Sequence, residues 1–179
     1  CDDREGGIEN RSLARMAISM MAIMQPNGTE PHVVEVVPVT TVVINGVVEM
    51  TGITDFFDQS FATLFEVLGA QGVTMTGPPF ALYHSPPSDV ADLEVGVPIT
   101  GPFRPDLGVE TSGLPGGRIA RMVHEGAYEQ LGSSWERLGA WIGEHGLTFG
   151  EAAWEVYLTE PTPEMDPAEL RTELNWSVS

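Results

Sequence analysis

The sequence predicts an α+β fold built from duplicated β-α-β-β units, with a ligand groove between the two halves. Three observations carry this. Two-residue and 3.6-residue apolar periodicities follow one another in the order strand, helix, strand, strand, and the order then recurs. A shift of 74 residues lays Phe57, Phe61, Leu64, Leu68, Gly69, Gly72 and Val73 on Leu131, Trp135, Leu138, Ile142, Gly143, Gly146 and Leu147. The same shift lays Phe80, Leu82, Tyr83 and Pro87 on Trp154, Val156, Tyr157 and Pro161. One offset holding across a helix, a loop and a strand is hard to obtain by chance. Two such halves side by side leave a groove at their junction, a common place for a small ligand.

The elements follow in order. Cys1 in first place reads as a fragment boundary rather than a lipidated terminus. Leu13, Met16, Met20 and Ile23 recur at helical spacing, and Pro26-Asn27-Gly28 stops that helix. Its apolar run, Met16 to Met24, is far shorter than the roughly 20 residues that cross a bilayer, so no membrane partner is expected. The four methionines in that run make a soft contact face, suited to packing within the chain or in a homodimer. Residues 25–31 read as a linker. The chain thus divides into an N-terminal helix and linker, 1–31, and a compact domain, 32–179, with halves of about 32–102 and 108–179.

Val33 to Val48 is rich in β-branched residues and reads as one or two strands with a turn or bulge at Asn45-Gly46. The stripe Phe57, Phe61, Leu64, Leu68 is a helix ending at Gly69 or Gly72. Phe80 to His84 and Leu93 to Ile99 are strands, the second followed by a Gly/Pro-rich bridge from Thr100 to Pro105. In the second half, Ile119 to His124 is a strand, and Leu131, Trp135, Leu138 and Ile142 mark a helix. Trp154 to Leu158 and Thr172 to Val178 are the closing strands.

Composition narrows the function. Hydrophobic residues at 42% and charged ones at 19% are ordinary for a globular chain. The net charge is not: 26 Asp+Glu against 8 Lys+Arg gives −18, and every basic residue is Arg. Phosphates would be repelled by that surface, so the chain itself is not expected to bind nucleic acid. One cysteine excludes an internal disulfide and any zinc site with paired thiolates, which fits a cytoplasmic location. His32, His84, His124 and His145 lack metal-ligand spacing and read as surface or capping residues, so neither a metal nor another cofactor is expected. Gly113-Leu114-Pro115-Gly116-Gly117 precedes a strand and reads as a turn rather than a phosphate loop.

The motif His124-Glu125-Gly126-Ala127-Tyr128-Glu129-Gln130-Leu131, a Trp/Leu helix ending Glu144-His145-Gly146, and Trp154-Glu155-Val156-Tyr157-Leu158-Thr159-Glu160-Pro161 lie in succession, before a closing Arg171-Thr172-Glu173-Leu174. Together they resemble the second half of GyrI-like effector-binding domains. Ala70-Gln71-Gly72-Val73, Gly77-Pro78-Pro79-Phe80 and Glu94-Val95-Gly96-Val97-Pro98 match the first half more loosely. The resemblance covers about residues 33–178. It implies a duplicated SH2-like fold that senses lipophilic, often cationic or aromatic, compounds, alone or behind MerR-type or AraC-type DNA-binding domains. Some stand-alone relatives hydrolyse cyclopropane-bearing toxins. Residues 1–31 carry no helix-turn-helix pattern.

Glu155 is the leading site candidate. Strand alternation puts Trp154, Val156 and Leu158 on one face, expected to pack on the helix layer, and Glu155 and Tyr157 on the other. Its repeat partner is Ala81, so the duplication does not itself require a carboxylate here. Glu155 is thus either a pocket carboxylate facing a lipophilic cation or an exposed residue of a two-sided strand. Tyr83 and Tyr157, related by the repeat, read as pocket walls or as core tyrosines. Trp176 and Tyr128 are further ligand-contact candidates, whereas Trp135 and Trp141 read as core. Were the chain a hydrolase, Glu155 would be its general base, with Tyr157 beside it. A protein-interaction inhibitor that mimics nucleic acid is a third reading of the acidic surface.

Overall fold

The computed structural model describes residues 28–179; the expected helix around Met16 to Met24 lies outside them. Nine strands and two helices follow in order: β1 (His32–Val36), β2 (Val39–Glu49), α1 (Ile53–Gln71), β3 (Thr74–Met75), β4 (Phe80–Tyr83), β5 (Val90–Thr100), β6 (Glu110–Leu114), β7 (Gly117–Glu125), α2 (Leu131–Glu144), β8 (Phe149–Tyr157) and β9 (Arg171–Val178). The repeat is β2-α1-β4-β5 followed by β7-α2-β8-β9. Both helices end alike. Gly72 and Gly146, related by the 74-residue shift, both sit at φ 66°. The next amides, of Val73 and Leu147, close on the carbonyls of Leu68 and Ile142, again repeat partners. Only glycine takes this left-handed cap without strain. Leu64, Leu68, Leu138 and Ile142 are all buried.

The main sheet is antiparallel, in the order β1-β7-β9-β8-β4-β5-β2-β6, with the two-residue β3 paired to β5. It has to curl. β1 and β2 stand six strands apart, about 29 Å in a flat sheet, yet only Val37 and Pro38 join them, spanning about 11 Å at most. The same holds for β6 and β7, joined by Pro115-Gly116. The result is a half-barrel in which each half's outermost strand is supplied by the segment leading into the other half. The two connections touch where they cross: a Cβ on Gly116 would lie 2.5 Å from Cδ of Pro38.

A row of register partners crosses the sheet through Ile44, Val95, Ala81, Glu155, Leu174 and Met122. Partners in a row share a face. Ile44 and Val95 pack under α1, and Leu174 and Met122 under Leu138 and Ile142 of α2. Both helices therefore lie on one face, one over each half. The inside of the curl holds a separate core of Val43, Phe80, Leu82, Ile119 and Trp154.

Two expectations are corrected here. Trp154 and Val156 pack inside the curl, away from the helices, while Glu155 and Tyr157 face the helix side. Alternation separates the two sets but cannot say which one meets the helices. The helices cover the outer strands of each half and leave β4 and β8 bare between them, so groove and helix layer share a face. Asn45-Gly46 is no turn either: β2 runs straight through it, Asn45 opposite Glu94 and Gly46 opposite Leu93. Glycine is required there by contact, because a Cβ would lie 2.5 Å from the Phe56 ring. The break falls instead at Val37-Pro38, where proline has no amide for the ladder.

Candidate functional site

The groove floor is the β4–β8 pair, in register as Phe80 with Val156, Ala81 with Glu155, Leu82 with Trp154 and Tyr83 with Ala153. Ala81 and Glu155 are also related by the 74-residue repeat, so the pseudo-two-fold axis of the domain passes between them. Glu155 therefore sits at the centre of the molecule because it lies on the axis of the duplication. Tyr83 and Tyr157 flank this point from opposite directions along the antiparallel strands. The walls are Ile53, Phe57, Phe61 and Phe65 of α1 and Leu131 and Trp135 of α2, around a cavity of about 1580 Å³.

Glu155 is only 5% exposed. One carboxylate oxygen accepts from the Trp135 indole N–H at 2.9 Å and the other from the Tyr157 hydroxyl at 2.8 Å. Tyr83 lines the groove beside them on the neighbouring strand. Burial pushes the Glu155 carboxyl above the usual carboxylate range, against the lowering effect of the hydroxyl and indole groups around it and of nearby His124. Burial and then the Glu155 charge push the hydroxyls of Tyr157, Tyr83 and Tyr128 up, so the tyrosines stay neutral donors at physiological pH. No arginine lines the groove among the described residues. Its charged lining is Asp58, Glu151, Glu155 and Glu160, with His84 near the mouth. The candidate site is a buried carboxylate, held by Trp135 and Tyr157 and without an arginine beside it among the described residues, at the bottom of an aromatic trough.

All five residues singled out from the sequence, Glu155, Tyr157, Tyr83, Trp176 and Tyr128, line this groove. Tyr128 meets Tyr157 edge-on at 6.1 Å, and Trp176 meets Trp135 edge-on at 5.9 Å. Trp135 packs on the α2 core as expected and in addition forms the groove wall that donates to Glu155. Phe57 and Phe61 were read only as a helix stripe, and they too face the groove; Phe57 meets Tyr157 edge-on at 6.0 Å. The repeat carried the missing signal. On a site lying on a pseudo-two-fold axis, the partner of any wall residue is itself near the wall, and the partner of Trp135 is Phe61. Trp141 does pack with the α2 core, stacked on His145.

His124 is buried rather than superficial, with one ring nitrogen 2.7 Å from the Ser134 hydroxyl and the other donating to the Ala127 carbonyl at 3.0 Å. It ties β7 to the start of α2. Gly113 and Leu114 end β6, and Pro115-Gly116 is the crossing connection. No cluster of three metal-ligating side chains occurs among the described residues, and none of their helices is long and apolar enough to cross a membrane.

The family model for the GyrI-like small molecule binding domain matches residues 29–179. Among solved structures, EcmrR in its complex with DNA superimposes with a TM-score of 0.75 at 19% identity, over 95% of this chain and 67% of that one. A hydrolase from Listeria innocua superimposes at 0.62 and 15% identity, over 90% and 97%. SAV2435 bound to tetraphenylphosphonium superimposes at 0.60 and 15% identity, over 84% and 94%. At these identities the likeness is one of fold. No match is found among curated proteins.

Proposed function

The chain belongs to the GyrI-like small-molecule-binding family, and from that premise we propose that it is a cytoplasmic effector-binding domain for lipophilic cations. It serves a transcription regulator or acts as a stand-alone drug-binding protein. One observation carries the reading: Glu155 is buried among Trp135, Tyr83, Tyr157 and Phe57, with no arginine lining the groove among the described residues. A buried carboxylate without a counter-charge is costly. A cation entering the groove provides that charge, and the aromatic faces hold its body. The tetraphenylphosphonium carried by SAV2435 is a ligand of this class.

A second reading, a hydrolase using Glu155 as general base with Tyr157 beside it, is favoured by the hydrolase neighbour of the same fold. The hydrogen bonding constrains it: Trp135 and Tyr157 each take up one acceptor site of the carboxylate, so an attacking water would have to use one of the sites left. Apart from the tyrosine hydroxyls, whose values are pushed up and which are therefore weak acids, the described residues bring no acid to the floor for a leaving group.

The test is a titration of wild type and Glu155→Gln with a lipophilic cation and a neutral ligand of the same shape. Removing the counter-charge should cost the cation roughly 2–5 kcal/mol and the neutral ligand much less. Equal losses for both would remove Glu155 from this role. Saturable turnover of a cyclopropane-bearing electrophile, abolished in Glu155→Gln, would establish the hydrolase instead.

A further inference from the structure

We propose that the groove selects elongated monocations, with the charged head at Glu155 and an alkyl or flat aromatic tail laid along α1 to Phe65 and Met75. This rests on the cation reading above and adds the ligand's shape to it. Phe57, Phe61 and Phe65 recur every fourth residue, so they stack down one side of the helix. Their rings are 6.0 and 6.2 Å apart and tilted by only 27° and 21°. Phe57 in turn meets Tyr157, the tyrosine bonded to Glu155. An unbroken aromatic path thus leads outward from the carboxylate. Eight residues of helix carry it about 12 Å, the reach of an extended decyl chain.

The far end of the path is left open to solvent. Phe65 is 45% exposed and Met75 is 47% exposed, and both line the groove. Large apolar side chains clustered on a surface mark a place where something apolar binds. Phe61, Phe65, Met75, Gly77 and Pro79 put no charge at this end, so the tail needs none.

The duplication makes the two helix rows unequal. The repeat partners of Phe57, Phe61 and Phe65 on α2 are Leu131, Trp135 and Gly139. On that side the helix contributes a single ring, and the aromatic contacts leave it, edge-on from Trp135 to Trp176 and on to Phe149 of the sheet. Only the α1 row is stacked along a helix from the carboxylate outward, and it sets the direction of the tail.

The experiment is calorimetric titration of the full chain with n-alkyltrimethylammonium salts from butyl to dodecyl, below micelle-forming concentrations, with tetraphenylphosphonium as a compact cation. Affinity should rise about two- to fourfold per added methylene, then level off once the tail passes Phe65. Phe65→Ala and Met75→Ala should each weaken the decyl salt by about tenfold while leaving the butyl salt and the compact cation within about twofold. Both side chains are half exposed, so the fold is retained, and unchanged binding of the compact cation certifies it. Affinity independent of chain length in a protein that still binds the short and compact cations would overturn the elongated ligand and leave the cation reading standing. A chain-length slope unaffected by either substitution would overturn the assigned path. Failure of every cation to bind would take down both readings.

Discussion

Replacing Glu155 by Gln should stabilise the unliganded protein, by an amount that depends on pH. Glu155 is 5% exposed, and among the described residues no arginine lines the groove around it. Its hydrogen bonds from Trp135 and Tyr157 offset part of the desolvation but not all of it, since burial still leaves the carboxyl above its usual range. A group whose folded value is raised contributes stability that is fully present below its unfolded value, about 4.3 for Glu, and is lost as pH rises through the folded value. Gln has the shape of the protonated acid, accepts from Trp135 in the same way, and does not ionise. Wild type and variant should therefore melt together near pH 4 and separate as pH rises. With a net desolvation cost on the order of 1–2 kcal/mol for an incompletely compensated polar group, and roughly 2–4 °C per kcal/mol for a chain of this size, the variant should melt about 2–8 °C higher at pH 8. Thermal unfolding followed by circular dichroism at half-unit pH steps reads this directly. The general repulsion of a chain with charge −18 is nearly common to both proteins and drops out of the difference. A melting difference independent of pH, or a variant less stable at pH 8 than at pH 4 relative to wild type, would refute the reasoning.

Cation binding should carry the opposite pH dependence: affinity falls as pH drops through the raised Glu155 value, because the protonated acid offers no charge, and binding near that pH releases protons. Calorimetry in two buffers of different ionisation enthalpy counts them, and a neutral ligand should release none. Gly46→Ala should destabilise the domain by about 1–3 kcal/mol, since its Cβ would sit 2.5 Å from the Phe56 ring; chemical denaturation measures the loss, and a neutral outcome would mean that α1 moves freely over β2.

The duplication was legible because it is written in local chemistry. The glycines that cap both helices and the apolar stripes at one offset depend on neighbours within a few residues. What local periodicity does not encode was read less well. Which strand face meets the helices depends on where the two helices lie over the whole sheet, so Trp154 and Glu155 were assigned to the wrong sides. β6 went unrecognised because Glu110-Thr-Ser-Gly-Leu114 has little alternation and earns its place by pairing with β2 at residues far away in sequence. The exchange of β1 and β6 between the halves is likewise a property of the complete sheet. Asn45-Gly46 shows the reverse error: a dipeptide typical of turns occurs here because an aromatic ring presses on the strand. The groove lining is legible where a charged residue interrupts an apolar strand, as Glu155 does. It was missed where a wall residue has the composition of a core residue, as do Phe57, Phe61 and Trp135.

The position of Glu155 explains why a symmetric fold carries an asymmetric site. Directly paired residues on adjacent antiparallel strands have Cβ atoms about 4.5–5.5 Å apart. Any residue on β8 opposite its own repeat partner therefore meets that partner at contact distance, and Ala81 and Glu155 are such a pair. Two carboxylates there would repel, and one would be held protonated, so a symmetric site would carry a single charge while desolvating two acids. Alanine at 81 removes that cost. Ala81 is fully buried, packed in the cluster that holds Phe57 and Tyr157. The space a second carboxylate would occupy is thus given to the rings that lead from Glu155 along α1. With one acid on the axis, held by Trp135 and Tyr157, and a stacked phenylalanine row on α1 alone, the proposed site would meet a single charge and tell its two ends apart.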